Sequence, residues 1–78
     1  MNKDLASLIE INPKIMVGKP VIKGTRITVE LILESLAAGD TYEEILEAFP
    51  KLSKQSILAA LNYATTVIKN EDIYPVAS

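Results

Sequence analysis

Between Asn12 and Ile27 the chain places two prolines, two glycines and four cations within sixteen residues. Proline presets φ and removes an amide donor, and glycine opens the φ > 0 region, so this density fixes a folded path of loops and short strands and excludes a long helix. The four cations are Lys14, Lys19, Lys23 and Arg26. A shaped, basic loop in a small chain is a candidate binding element.

Around that loop the strand signals are short. Leu8-Ile9-Glu10-Ile11 alternates weakly and predicts a first strand ended by Asn12-Pro13. Val21-Ile22 and Thr25-Arg26-Ile27 flank Lys23-Gly24, which predicts a tight hairpin with Gly24 supplying the unusual backbone angle. Three short helices follow. Thr28 caps the first, over residues 29–38, with Glu30 in the first turn, Gly39 past the end, and Ile27 and Ile32 at the two staple positions. Its apolar stripe is Val29, Ile32, Leu33 and Leu36. Thr41-Tyr42-Glu43-Glu44 is a capping box that opens the second helix. That helix turns Tyr42, Ile45, Leu46 and Phe49 inward and Glu43, Glu44 and Glu47 outward, and Pro50 stops it. Ser53 caps the third, over residues 54–69, with Leu52 and Ile57 as a further staple. The spacing predicts a buried stripe of Ile57, Leu61, Ala64 and Ile68, opposite a small polar stripe of Gln55, Ala59, Asn62, Thr66 and Lys69.

The expected architecture is α+β and mainly α: a short N-terminal β-hairpin or strand pair, then a three-helix helix-turn-helix bundle. All 78 residues form one domain. Residues 8–27 are its strand and basic-loop segment, 28–69 its helix-turn-helix region, and 70–78 an aperiodic tail that trails or docks as an arm.

A chain of 78 residues, 49% of them hydrophobic, buries only about 60% of its unfolded surface. It has no cysteine for a disulfide and no histidine for a Cys/His metal site, so oligomerisation, as a homodimer or a hetero-complex, is the expected source of further burial. Lack of cysteine fits a cytoplasmic protein. Met1-Asn2-Lys3-Asp4 does not read as a signal peptide, and no apolar run approaches the roughly 18 to 20 residues of a membrane span. The net charge of −2 is unevenly placed: residues 1–26 carry five Lys/Arg and two acids, residues 27–78 three and eight. A polyanion would meet the loop first, and the acidic helices would face solvent or a basic partner.

Residue types argue against several chemistries. With neither histidine nor cysteine, and no hydroxyl in a nucleophile motif, catalysis is not expected. Gly18-Lys19-Pro20 and Lys23-Gly24-Thr25 both fail the Gly-Lys-Ser/Thr pattern of a phosphate-cradling loop, so no nucleotide cofactor is expected. Nothing in the spacing of Glu43, Glu44 and Glu47 indicates a metal. What remains is binding. Residues 41–62 have the span of a helix-turn-helix, whose second helix would offer Gln55 and Asn62 to adenine edges. That helix has no arginine, although nonspecific DNA affinity comes mainly from Lys and Arg. Lys19, Lys23 and Arg26 are candidate contacts to phosphate or to an acidic partner, with Gly18, Pro20 and Gly24 shaping their loop. Arg26 is the sharpest of them, being capable of bidentate contact; its alternative is an internal salt bridge to Glu30 or Glu34. Tyr42 and Phe49 read as core, Tyr63 as core or subunit boundary, and Tyr74-Pro75 as either a tail anchor for a partner or part of a disordered tail.

Asn12-Pro13, Gly18-Lys19-Pro20-Val21-Ile22, Gly24-Thr25-Arg26-Ile27, Leu36-Ala37-Ala38-Gly39, Glu43-Glu44-Ile45-Leu46, Phe49-Pro50-Lys51-Leu52 and Ala59-Ala60-Leu61-Asn62-Tyr63-Ala64 together resemble the prokaryotic domain-of-unknown-function family numbered four hundred thirty-three. The resemblance covers residues 8–66. It implies a homeodomain-like helix-turn-helix behind a short β segment, often in a dimer. It also implies an antitoxin-like role beside a PIN-like nuclease toxin, and no catalytic residues. The function expected is a small antitoxin-like regulator that binds such a nuclease and duplex DNA; the alternative is a dimerisation or adaptor module that does not bind DNA.

Overall fold

A computed structural model describes residues 3–70; the tail anchor expected at Tyr74-Pro75 lies outside them. The elements run α1 (Lys3–Ala6), β1 (Ile9–Glu10), a 3-10 turn (Met16–Gly18), β2 (Val21–Ile22), α2 (Val29–Ala37), α3 (Tyr42–Ala48) and α4 (Lys54–Asn70). The fold is α+β and mainly helical, as expected.

Each of the three long elements begins where its side chains can satisfy the free amides of a first turn. Thr28 Oγ1 accepts the Leu31 N–H at 3.0 Å. At α3 the capping box is complete: the Glu44 N–H donates to Thr41 Oγ1 at 3.1 Å and the Thr41 N–H to Glu44 Oε1 at 2.9 Å. At α4 a serine replaces the usual glutamate, and the Ser53 N–H donates to Ser56 Oγ at 3.0 Å. Past the end of α2, Gly39 at φ +97° lets the Gly39 and Asp40 amides turn back to the Leu36 and Ser35 carbonyls, both at 3.0 Å, a Schellman stop.

The caps aim one apolar face of each helix at a common centre. Ile32, Ile45 and Ile57, one from each helix, are among the largest fully buried side chains. Around them lie Ile22, Val29, Leu52 and Ala60, with Tyr42, Leu46, Phe49 and Tyr63 packed against the cluster. Both staple pairs contribute: Leu52 with Ile57, and Ile27 with Ile32.

Two features differ from the expected pattern. The partner of Val21-Ile22 is β1, antiparallel, with Ile9 opposite Ile22 and Glu10 opposite Val21. The residues after Lys23-Gly24 do return beside Pro20–Ile22, with the Ile22 N–H donating to the Ile27 carbonyl and the Val29 N–H to the Pro20 carbonyl, both at 2.9 Å, around a bridge between Val21 and Thr28, but they form no regular strand. The cause is the turn itself. The Thr25 N–H donates to the Ile22 carbonyl at 3.0 Å with Gly24 at φ +80°, and Thr25 Oγ1 donates to that carbonyl while accepting the Ile27 N–H. This curl sends the chain into the α2 cap before a second strand can form.

The second difference is the face that α4 buries. Ser56, Ile57, Ala59 and Ala60 are inside, whereas Leu61 and Ile68 are 36% and 63% exposed. Helix α1 and strand β1 pack against α4, so the expected small polar stripe is partly covered and Ala59 is fully buried. Alanine permits that approach because it holds the neighbouring backbone away by only one methyl group.

Candidate functional site

The turn at Lys23-Gly24 carries Arg26 to a concavity of about 450 Å³, lined by Glu10, Ile15, Gly24, Thr25, Arg26, Ile27 and Lys51. Lys51 comes from the turn between α3 and α4. Two cations and one carboxylate therefore share a surface that joins the loop to the helix-turn-helix. No ion pair among the described residues joins Arg26 to Glu30 or Glu34; Glu30 is taken by Lys19, with Nζ to Oε1 at 3.0 Å. Among the described residues no ion pair engages the Arg26 guanidinium, a group whose planar fork can grip an anion at two points.

The expected basic constellation is divided. Lys19 lies against α2 through Glu30, Arg26 stands with Lys51, and Lys23 is exposed at its turn. Of the residues expected to shape the loop, Gly18 and Gly24 have positive φ, and the Pro20 carbonyl accepts the Val29 N–H at 2.9 Å. Gln55 is exposed in the first turn of α4, where a helix-turn-helix meets base edges. Asn62 is only half exposed and lines a hollow with Ala6, Ile9, Ile11, Tyr63 and Thr66. The N-terminal segment thus stands beside the side chain that was to read DNA with Gln55.

A second surface was not anticipated. Between α2 and the C-terminal half of α4 runs an open groove of about 500 Å³. From α2 it is lined by Val29, Glu30, Leu33, Glu34 and Ala37, and from α4 by Tyr63, Ala64, Val67 and Ile68, with Pro20 completing the lining. Tyr63 connects it to the core, against which its ring packs. The signal in the sequence was an excess: from Ile57 to Ile68, α4 has more apolar residues than one core-facing stripe uses.

Among the described residues no group of three or more acidic, histidine or cysteine side chains could hold a metal. No helix among them is long and apolar enough to cross a membrane.

Two helices joined by a short turn, backed by α2 and covered by a β-loop segment, define a small α+β, mainly helical protein. Residues 9–64 match the family described as protein of unknown function DUF433, and the chain belongs to that family. A relative, the uncharacterized protein y4eO of Sinorhizobium fredii (strain NBRC 101917 / NGR234), is 44% identical over 64 residues, which are 78% of this chain and 29% of the relative. The chain thus spans less than a third of that protein. The crystal structure of a DUF433 member from Anabaena variabilis ATCC 29413 is similar at a TM-score of 0.75 and 22% identity, covering 88% of this chain and 79% of the other. At that identity the likeness is one of fold.

Proposed function

We propose that the chain is an antitoxin-like regulator working chiefly by protein contact, as a homodimer and as the partner of a PIN-like nuclease in the cytoplasm, with duplex DNA as a secondary ligand. The observation that carries this reading is the apolar groove between α2 and α4, since an open apolar hollow with few polar groups is the surface a protein partner covers. The DNA component rests on Arg26, Lys51 and Gln55 alone. Gln55 is uncharged, and two cations on a chain of net charge −2 would neutralise few phosphates, so affinity for duplex DNA would be low and weakly salt-dependent.

The test is co-expression with a PIN-like nuclease encoded beside this gene. The expected result is a complex of fixed stoichiometry in which ribonuclease activity is suppressed. A nuclease that stays active and separate overturns the reading.

A second reading is a dimerisation or adaptor module with no nucleic-acid role. It is favoured by the position of Asn62 beside Ala6, Ile9 and Ile11. Titration of duplex DNA at several salt concentrations separates the two, because each neutralised phosphate contributes about −0.9 to the slope of log K against log salt. A measurable slope reduced by Arg26→Ala retains the DNA component, and absence of binding leaves the adaptor.

A further inference from the structure

We infer that Val17 is a knob that enters the α2–α4 groove of a second copy of this chain, each copy giving and receiving one. The inference rests on the homodimer proposed above and goes beyond it by assigning both mating surfaces.

Val17 is in a place that the fold alone gives no reason to fill with valine. Its backbone is left-handed, at φ 58° and ψ 34°, a region in which a β-branched residue is a genuine outlier. Met16 before it is also left-handed, at φ 48°. The Val17 side chain is 94% exposed, and Met16 is among the exposed large hydrophobics. An apolar, branched side chain is thus held in strain and presented to solvent, where asparagine or glycine would satisfy the backbone better. Strain of this kind persists where function uses it.

The turn is firmly placed. The Gly18 N–H donates to the Ile15 carbonyl at 3.0 Å and the Lys19 N–H to the Met16 carbonyl at 3.1 Å. Lys19 and Pro20 then tie it to α2, through Glu30 and the Val29 amide. Helix α2 is also a wall of the groove, and Pro20 lines it while Val17 does not. Knob and hole are therefore neighbours on one chain and fixed relative to each other, so a two-fold axis between copies can satisfy both at once.

Charge selects the same occupant. Lys19 and Glu30 are already paired within one chain, which leaves Lys14 beside the knob and Glu34 in the lining of the groove, both exposed. In the reciprocal contact Lys14 of one copy approaches Glu34 of the other, which favours this pairing over other apolar segments.

Sedimentation velocity on the full chain tests the inference. The wild type is expected to dimerise, and Val17→Asp and Ile68→Glu each to raise the dissociation constant about thirty-fold or more, the effect of an interface hot spot. Val17→Asn guards against misfolding: it should weaken the dimer while melting no lower than the wild type under conditions where both are monomers. Because the chain has no cysteine, a mixture of Val17→Cys and Ala37→Cys chains should form an intermolecular disulfide that neither forms alone. A wild type that stays monomeric overturns both this inference and the homodimer. A dimer unaffected by Val17→Asp and by Val17→Asn overturns the inference alone. A monomer in which Val17→Asp abolishes nuclease binding overturns it too, by giving the knob to the nuclease.

Discussion

The starts of the three longer helices and the turn at Met16–Gly18 treat local preference in opposite ways. At Thr28, Thr41 and Ser53 residue choice, backbone geometry and packing agree: a hydroxyl accepts or sits at the cap, and Ile32, Ile45 or Ile57 follows at the fourth helical position and is buried. At Met16–Gly18 they disagree, because two side-chain-bearing residues take left-handed angles and Val17 faces solvent. Agreement across levels builds a fold, and a local conflict that persists marks a place where something other than monomer stability was selected. The contrast can be broken by substitutions on either side of it.

The largest effect is expected in the consistent region. Ile57→Ala removes a fully buried side chain from both the centre of the core and the α4 staple. A loss of about 2–5 kcal/mol is expected in urea unfolding; a loss under about 1 kcal/mol would mean that the three-isoleucine centre is not the core. Thr41→Ala comes next. It deletes one half of a reciprocal cap whose two bonds are 2.9 and 3.1 Å, and a loss of about 1 kcal/mol is expected. If Glu44→Ala costs nothing in the same assay, the reciprocal bond is not part of the stability.

The capped side of the comparison was legible in the chain, and the strained side was not. Thr41 and Glu44 lie three residues apart, Ser53 precedes an apolar run, and Gly39 and Pro50 stop helices by rules that act within one turn; such signals survive folding because they do not depend on distant residues. The α4 face depended on them. Ile57, Leu61, Ala64 and Ile68 fit helical spacing as well as Ser56, Ala59, Ala60 and Tyr63 do, and the choice between them is made by α1, a four-residue helix too short to carry a period. Arg26 and Lys51 share a concavity although they are far apart in sequence, so no spacing rule links them. Left-handed angles were readable at Gly24 and Gly39. Nothing marks them at Met16 or Val17, since valine is the residue least expected there.

The strained side is sharpened by Val17→Asn, measured as a monomer. Here the sign is reversed: relief of the left-handed valine should raise the unfolding free energy by roughly 0.5–1 kcal/mol. A value below the wild type would show that Val17 packs on its own chain, and the disagreement between local preference and structure would disappear.

The smallest expected effect bears on how the two sides are joined. Lys19 and Glu30 meet at 3.0 Å, but their side chains are 55% and 59% exposed, so Coulomb attraction is screened and is opposed by the ordering of two long side chains. Lys19→Ala is expected to change unfolding free energy by less than about 0.5 kcal/mol, with what effect there is fading as salt is raised. Its consequence for the turn should be larger than its consequence for the fold. Glu30 lies in the first turn of α2, whose cap and buried face hold it in place without help, whereas residues 16–18 are tied to that helix from one side only, through Lys19 and Pro20. Amide hydrogen exchange should therefore quicken at Gly18 and Lys19 and stay unchanged at Ile32. Equal quickening at both positions would mean that the ion pair stabilises the whole domain, and that the strained turn and the capped helices unfold as one unit.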